Sequence, residues 1–258
     1  MKKEHKELMK ARRRNIGLVV AYDGGNYHGF QRQTPPVTAV QNVLERKLSV
    51  IFGDEIEMAA AGRTDAGVHA YGQVVNFFTD GTIPVERIVR AANSILPDDI
   101  VVKEAFEADE DFSARHSVKS KIYVYRILQG DTPDPFWRNY AWYIRRPLAI
   151  EKMQEAMQFL LGEHDFSSFQ AAGGTSPSPV RTLYEAACEK KSGGIIEFRF
   201  WGNGFLYHMV RNIVGTIADV GLGKISPQEF QQIIVAKNRR RASATAPAQG
   251  LFFAKVLY

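Results

Sequence analysis

The residues best suited to chemistry lie in one short loop, Gly62–Gly67, whose sequence is Gly-Arg-Thr-Asp-Ala-Gly. Its two glycines let the backbone turn sharply and let a ligand approach it closely. Arg63 stands two positions before Asp65, where a guanidinium can keep the carboxylate ionised or bind a phosphate beside it. The pattern suits a nucleophilic or general-base aspartate that acts on an anionic substrate. Spacing alone leaves a second interpretation open, because an aspartate flanked by glycine often forms a turn with its own backbone.

Other recognisable chemistry is absent from the sequence. The six histidines are scattered, and no HExxH or CxxC pattern provides the ligand spacing of a zinc site. No P-loop is present, no GxGxxG pattern follows a predicted strand, and no GxSxG pattern supplies a nucleophilic serine. We therefore expect chemistry that uses neither a metal nor a cofactor.

Apolar segments on both sides of the loop must hold it in place. The residue pattern predicts strands at 56–61 and 73–78, with the loop between them. A third predicted strand, 121–128, alternates in a way that gives it two usable faces, and it carries Tyr123. On pattern alone, an aromatic residue in such a strand is a core residue.

Helices are predicted by apolar residues at helical spacing and by capping patterns. Residues 40–51 and 205–220 show this spacing. Thr38 with Gln41 is a candidate capping box for the first of these helices. Ser226–Glu229 is a second capping box, with proline at the first helical position, and it predicts a helix that extends to about residue 237.

The elements occur as two similar α+β halves, with a boundary near residues 107–120. Hairpins mixed with helices favour mainly antiparallel sheets over a doubly wound parallel fold. We therefore predict a basic arm at 1–14, an N-terminal subdomain at 15–112 that contains the Asp65 loop, and a C-terminal subdomain at 113–258. Residues 173–179 form a flexible loop by composition, which is either a lid that contacts substrate or a connector.

The net charge of +5 is concentrated at one end of the chain. Residues 1–14 hold seven of the 33 Lys and Arg but two of the 28 Asp and Glu, which leaves 26 of each sign elsewhere. This arm either touches phosphate backbones or is a solvated terminus.

No segment reaches the roughly 20 apolar residues of a membrane span. The terminus lacks the apolar core of a secretory signal, and the lone Cys188 fits a reducing cytosol, so we expect a cytoplasmic protein.

Residues 62–70 resemble, over their whole length, the signature of the TruA-type tRNA pseudouridine synthases. Further segments are similar to the same family: 21–24, 29–33, 111–115, 123–126, 161–166, 209–215 and 246–251. The resemblance covers roughly residues 15–258. Two positions depart from the family pattern, and both departures affect local packing. His116 stands where an aromatic such as Phe is more usual, and Ile122 stands where a polar residue is frequent.

The resemblance implies a fold, a reaction and partners. It implies two α+β subdomains related by a pseudo-twofold, whose sheets meet in a basic cleft. It implies a homodimer in which one tRNA contacts both subunits, and isomerisation of uridine to pseudouridine at tRNA positions 38–40 in the anticodon stem-loop. It implies no metal, no cofactor and no membrane.

The resemblance also assigns roles to individual residues. Asp65 matches the essential aspartate, which attacks the target nucleotide so that the glycosidic bond breaks. Tyr123 matches the tyrosine that packs on the target base and can assist proton transfer. Arg63 and Arg211 match basic residues of the active-site cleft, and Arg115 is a further candidate for that cleft. His69 is expected to be a packing residue of the loop.

Two other classes of function stay open beside the isomerase. The first is a catalytically silent RNA-binding module, although pure binding does not require Asp65. The second is a cofactor-free glycosidic hydrolase with a pair of carboxylates, for which no nearby motif supplies the second carboxylate.

Overall fold

The computed structural model describes residues 12–258, and the chain divides into two compact units. Unit 1 comprises Met1–Lys119 and Phe253–Tyr258, and unit 2 comprises Ser120–Phe252. Most of the predicted basic arm, residues 1–11, lies outside the described residues. The predicted subdomain bounds stay a prediction.

The last arginines of the predicted arm are part of the fold of unit 1. Arg12 donates a hydrogen bond to the carbonyl of Glu55 at 2.6 Å, and its Nη2 lies 3.2 Å from the carboxylate of Asp54. Arg14 opens the first strand and donates to the carbonyl of Gly81 at 2.6 Å. These guanidinium groups are therefore bound within the protein.

Unit 1 pairs its strands antiparallel. Its elements are β1 (Arg14–Tyr22), α1 (Val40–Phe52), β2 (Met58–Ala60), β3 (His69–Thr79), α2 (Val85–Asn93) and β4 (Ile100–Ala108). The strand order is β4–β1–β3, β2 pairs with β3, and the final strand β10 (Leu251–Leu257) lies next to β3. The predicted strands on either side of the Asp65 loop correspond to β2 and β3, so the loop lies within a β-hairpin.

The predicted helix at 40–51 is confirmed as α1, but its predicted capping box is wrong. The N-cap residue is Ala39, and no side chain caps the helix. The Gln41 side chain has other partners, because it accepts from the Arg32 backbone N–H at 3.0 Å and donates to Glu45 at 2.8 Å. The interior of unit 1 is apolar, with Ile16, Leu18, Val20, Leu44 and Leu48 fully buried.

Unit 2 repeats the combination of an antiparallel sheet with helices. Its elements are β5 (Ser120–Gln129), β6 (Trp142–Ile144), α3 (Ile150–Gln158), β7 (Gly162–Asp165), β8 (Val180–Lys190), β9 (Ile195–Gly202), α4 (Met209–Gly221) and α5 (Pro227–Ala236). The strand order is β5–β9–β8–β7, and β6 pairs parallel with β5. The predicted α+β class with mainly antiparallel strands is confirmed. The predicted basic cleft stays a prediction.

Helix α4 is buried on almost every side and contains polar residues that need partners. The Asn212 amide donates to the carbonyl of Phe169 at 2.7 Å. Its oxygen accepts from Thr245 Oγ1 at 2.6 Å and from Arg239 Nη2 at 3.0 Å. These bonds satisfy the hydrogen-bonding groups of the fully buried amide. Without them, an unpaired polar group at this position would destabilise the fold. The Arg239 side chain thus stabilises unit 2 through its hydrogen bond to Asn212.

No helix within residues 12–258 is long and apolar enough to cross a membrane.

Replacing Ser226 with alanine should lower the free energy of unfolding by about 1 kcal/mol, a typical value for a lost N-cap. In the predicted capping box, which is confirmed, Ser226 Oγ accepts from the Glu229 backbone N–H at 3.1 Å, and the Glu229 carboxylate accepts from Ser226 N–H at 2.7 Å. Urea denaturation measures the change. Ser192→Ala is the matched control, because Ser192 is exposed and its side chain makes no hydrogen bond within residues 12–258. Equal losses in the two variants would contradict the capping role.

Candidate active site

The Asp65 loop is held first by the strands that flank it. The backbone N–H of Ala61 donates to the carbonyl of Val74 at 2.9 Å. The Gln73 side chain then binds both sides of the Gly62 peptide: its amide donates to Gly62 O at 2.7 Å, and its oxygen accepts from Gly62 N–H at 3.4 Å. Gln73 is fully buried, so it replaces a missing backbone partner where the strand pairing ends.

A neighbouring turn of unit 1 approaches the loop backbone directly. Phe30 N–H donates to the carbonyl of Thr64 at 3.1 Å. Gly29 has a φ of +85°, and a Cβ atom at this position would lie 2.6 Å from Thr64 O. A Cβ atom at Gly24 would lie 2.0 Å from the carbonyl of Val68 at the other end of the loop. Only glycine permits backbones to come this close.

Below the loop, a buried hydroxyl pair fixes Thr64. Tyr22 Oη and Thr64 Oγ1 are 2.7 Å apart, and the Tyr22 hydroxyl also interacts with the Gln73 side chain. Burial raises the pKa of Tyr22 above its usual range, so the hydroxyl is a neutral hydrogen-bonding group. Tyr22 and Gln73 thus hold Gly62 and Thr64, the residues on both sides of Arg63.

The C-terminal end of the loop is anchored by Tyr27 and His69. Gly67 N–H donates to the carbonyl of Tyr27 at 3.3 Å, and the Tyr27 hydroxyl donates to Asp99 at 2.6 Å. Gly24 N–H donates to Nδ1 of His69 at 3.1 Å. His69 is 2% exposed, which agrees with its predicted packing role.

The loop leaves its charged residues nearer to solvent than its anchors. Asp65 is half-buried, whereas Thr64 and Val68 on either side of it are buried. Arg63 is exposed and makes no ion pair with Asp65 or with any other residue between 12 and 258. Its guanidinium is therefore available to an external anion.

Arg115 lies in an exposed turn of unit 1. The backbone around it is fixed, because Ala114 N–H donates to Asn76 Oδ1 at 2.8 Å and the Tyr258 hydroxyl donates to Ala114 O at 2.9 Å. The Arg115 side chain makes no hydrogen bond or ion pair within the part of the chain that the structure describes. The structure thus places Arg115, Arg63 and Asp65 in unit 1, and no hydrogen bond or ion pair joins the Arg115 side chain to the other two.

Tyr123 and Arg211 belong to unit 2. Tyr123 on β5 is 8% exposed, and its ring meets that of Phe205 edge to face at a centroid distance of 4.9 Å. Arg211 on α4 donates from Nε to the carbonyl of Ala246 at 2.8 Å, and Ala246 N–H donates to Arg211 O at 3.1 Å. Both side chains are therefore oriented by contacts inside their own unit.

Sequence reasoning did not single out three of the residues that build this site. Tyr22 lies in one of the segments that carry the resemblance, but nothing in the sequence links it to Thr64. Gln73 and Phe205 were visible merely as members of a predicted strand and helix, because burial patterns do not show which loop a side chain supports.

No three His, Cys, Asp or Glu side chains between residues 12 and 258 cluster in a way that could hold a metal ion.

Comparisons with known proteins place the chain in a family. The solved "Crystal Structure of a Cbf5-Nop10-Gar1 Complex" is similar at 13% identity and a TM-score of 0.38, covering 92% of this chain and 57% of that one. The tRNA pseudouridine synthase A of Thermoanaerobacter sp. (strain X514) is 48% identical over 245 residues, which cover 95% of this chain and 100% of that protein. The tRNA pseudouridine synthase A of Acetivibrio thermocellus is 44% identical with the same coverage. Residues 18–117 and 156–258 match the family described as tRNA pseudouridine synthase. This chain belongs to that family, whose members isomerise uridine to pseudouridine.

Proposed function

We propose that this protein isomerises uridine to pseudouridine at positions 38–40 of the tRNA anticodon stem-loop, with Asp65 as the nucleophile. The relatives named tRNA pseudouridine synthase A support tRNA as the substrate. The position within the tRNA is what the resemblance of residues 62–70 implies. We propose a reaction without a metal or a cofactor, as the resemblance implies.

One observation supports the role of Asp65: contacts at both ends fix its loop, whereas the Asp65 side chain is only half-buried. Buried Thr64 and Val68 flank it, and both are held by backbone approaches that only glycine permits. A turn-forming aspartate would need none of the buried bonds from Tyr22 and Gln73. A carboxylate on a loop that is already ordered can reach a reacting atom without a further loss of conformational entropy.

In the proposed reaction, the Asp65 carboxylate attacks the target nucleotide and the glycosidic bond from N1 of uracil to the ribose breaks. The uracil turns and rejoins the ribose through C5, and the bond between Asp65 and the nucleotide breaks, which frees the carboxylate. The proton on C5 is then lost and N1 gains one, so the product has the same composition as the substrate.

The target base must leave its stack before the carboxylate can reach it, which costs a few kcal/mol. We propose that Tyr123 packs on the extruded base, since aromatic stacking is worth about 1–3 kcal/mol per base. Arg63, Arg115 and Arg211 would bind phosphates, for which guanidinium groups have a suitable geometry. The free side chains of Arg63 and Arg115 support this role.

The assembly and the location follow from the resemblance. We propose a homodimer in which one tRNA contacts both subunits, and a cytoplasmic protein that meets tRNA there.

Asp65→Ala should lower pseudouridine formation in unmodified tRNA by at least about 1,000-fold, as expected for loss of a nucleophile. Mapping of pseudouridine by position measures the product of each variant. Asp131→Ala is the control, because Asp131 is exposed and makes no side-chain hydrogen bond within residues 12–258.

Each alternative function gives its own result in the same assay. Product from Asp65→Ala at the wild-type rate would exclude Asp65 as nucleophile. Absence of product from the wild type on every tRNA would favour the RNA-binding module, and release of free uracil would favour the hydrolase. Product at positions other than 38–40 would contradict the proposed substrate site.

Tyr22→Phe should lower kcat between about 10- and 100-fold and leave KM unchanged, because a loop that is slightly misplaced still permits binding but not attack. The substitution removes the bond to Thr64 Oγ1 and keeps the ring that packs 5.9 Å from Phe30. Steady-state kinetics measures both constants. Tyr143→Phe also loses a tyrosine hydrogen bond, 3.0 Å long to Gly130 O, and should keep wild-type kcat. A rise in KM with unchanged kcat would show that Tyr22 serves binding instead.

Tyr123→Ala should lower kcat/KM by roughly 5- to 150-fold, which corresponds to about 1–3 kcal/mol of lost stacking. Tyr123→Phe keeps the ring and tests the hydroxyl alone. Wild-type turnover by the phenylalanine variant would confine Tyr123 to packing, whereas a large loss would assign its hydroxyl to proton transfer. Equal activity of the alanine variant and the wild type would contradict both roles.

A further inference from the structure

Arg181, at the start of β8, is a half-buried arginine for which the described residues provide no anion. Its Nη1 donates to the carbonyls of Ser178 at 2.9 Å and Val180 at 2.5 Å. Its Nη2 donates to Ser176 Oγ at 2.6 Å. All three acceptors are neutral oxygens of the 173–179 loop or of its junction with β8. No carboxylate between residues 12 and 258 forms an ion pair with this guanidinium.

Two of the five N–H donors of Arg181 remain unused. Nε–H and the second hydrogen of Nη2 make no hydrogen bond within the described part of the chain. An arginine binds phosphate oxygens in pairs through adjacent N–H groups, so these donors can hold an external anion. Arg199 on the neighbouring strand differs from Arg181 because it has a carboxylate partner: its Nε donates to Glu185 at 3.0 Å.

The environment of Arg181 makes an unpaired charge unfavourable. Burial lowers the pKa of its guanidinium, which shows that water is partly removed from the charged group. A desolvated charge is normally compensated by an opposite charge. Since the described residues give this guanidinium only neutral oxygens, an external anion can bind it without displacing a carboxylate.

Gly204 of the neighbouring loop lies beside Arg181 Nε and puts no side chain against it. A Cβ atom at Gly204 would lie 3.3 Å from Arg181 Nε, and glycine places no side chain there. The 203–208 loop is fixed, because Thr182 N–H donates to Asn203 Oδ1 at 3.0 Å and Ala171 N–H donates to Tyr207 O at 3.0 Å. Arg181 is therefore positioned by two loops whose contacts do not use its full set of donors.

The same loop connects Arg181 to the wall of the candidate active site in unit 2. Phe205 follows Gly204 and packs its ring against Tyr123 at 4.9 Å. Tyr207 in this loop is 44% exposed, so the loop also presents an aromatic ring to solvent. An arginine without a carboxylate partner and an exposed aromatic ring on an adjoining loop suit single-stranded or extruded nucleotides.

We propose that Arg181 binds a phosphate of the substrate RNA, next to the nucleotide whose base packs on Tyr123. This phosphate site rests on the proposed function and assigns a role to the 173–179 loop, which the sequence leaves open as a lid or a connector. The loop acts as a substrate-contacting element because Ser176 and Ser178 orient the guanidinium that meets the phosphate.

The test compares Arg181→Gln with Arg199→Gln by measuring the dissociation constant for unmodified tRNA over a range of KCl concentrations. Arg181→Gln should weaken binding about tenfold, the usual size of a lost charged hydrogen-bonded contact. It should also make the slope of log affinity against log salt shallower by about 0.7–0.9, because one fewer phosphate is neutralised. Arg199→Gln should keep the wild-type slope, because Glu185 already neutralises that residue.

A purely structural role of Arg181 would give a different pattern. If the arginine only held the 173–179 loop, Arg181→Gln would weaken binding with a wild-type salt slope, and this result would overturn the proposal. Arg181→Lys keeps the charge but loses the paired N–H geometry, so it should keep the slope and bind with intermediate affinity. Thermal unfolding of each variant identifies a loss of fold.

The proposal can fail separately from the proposed function. An active wild type with an unchanged slope in Arg181→Gln would reject the phosphate site alone. A wild type that binds tRNA but makes no pseudouridine, together with a shallower slope in Arg181→Gln, would reject the isomerase mechanism and keep the phosphate site.

Discussion

The close approach of backbones around residues 62–68 is the constraint on which the rest of unit 1 depends. Gly29 lies against the carbonyl of Thr64 and Gly24 against that of Val68, at distances no Cβ atom could tolerate. Because two turns meet the loop without side chains between them, backbone hydrogen bonds such as that from Phe30 to Thr64 can form. The position of Asp65 is therefore set by main-chain geometry, which varies less than side-chain rotamers do.

Unit 2 also has a glycine where two backbone segments come into contact, here a helix and a loop. A Cβ atom at Gly215 on α4 would lie 2.0 Å from the carbonyl of Ala244, so the helix and the 244–247 segment touch through their backbones. Arg211, one turn earlier on α4, can then donate to the carbonyl of Ala246. Thus in each unit, glycine at a backbone crossing fixes the chain beside a residue proposed to act on RNA.

The sequence predicted the elements better than the contacts between them. Alternation and caps located the hairpin around Asp65 and the helix after Ser226, because both signals are local. The bond between Tyr22 and Thr64 depends on how β1 pairs with β3, and that register shifts between Val20 and Tyr22. No residue pattern announces such a shift. The capping prediction at Thr38 failed because the Gln41 side chain bonds to the Arg32 backbone N–H and the Glu45 side chain instead.

The charge balance explains why individual arginines matter in this protein. Outside residues 1–14 the 26 basic residues are matched by 26 acidic ones, so the body has no overall field to attract RNA. Arg32, Arg126 and Arg199 are paired with carboxylates. Arg63, Arg115 and Arg181 make no ion pair between residues 12 and 258. Screening limits each charge to roughly 8–10 Å at physiological salt, so recognition of RNA depends on where the unpaired guanidinium groups stand rather than on how many there are.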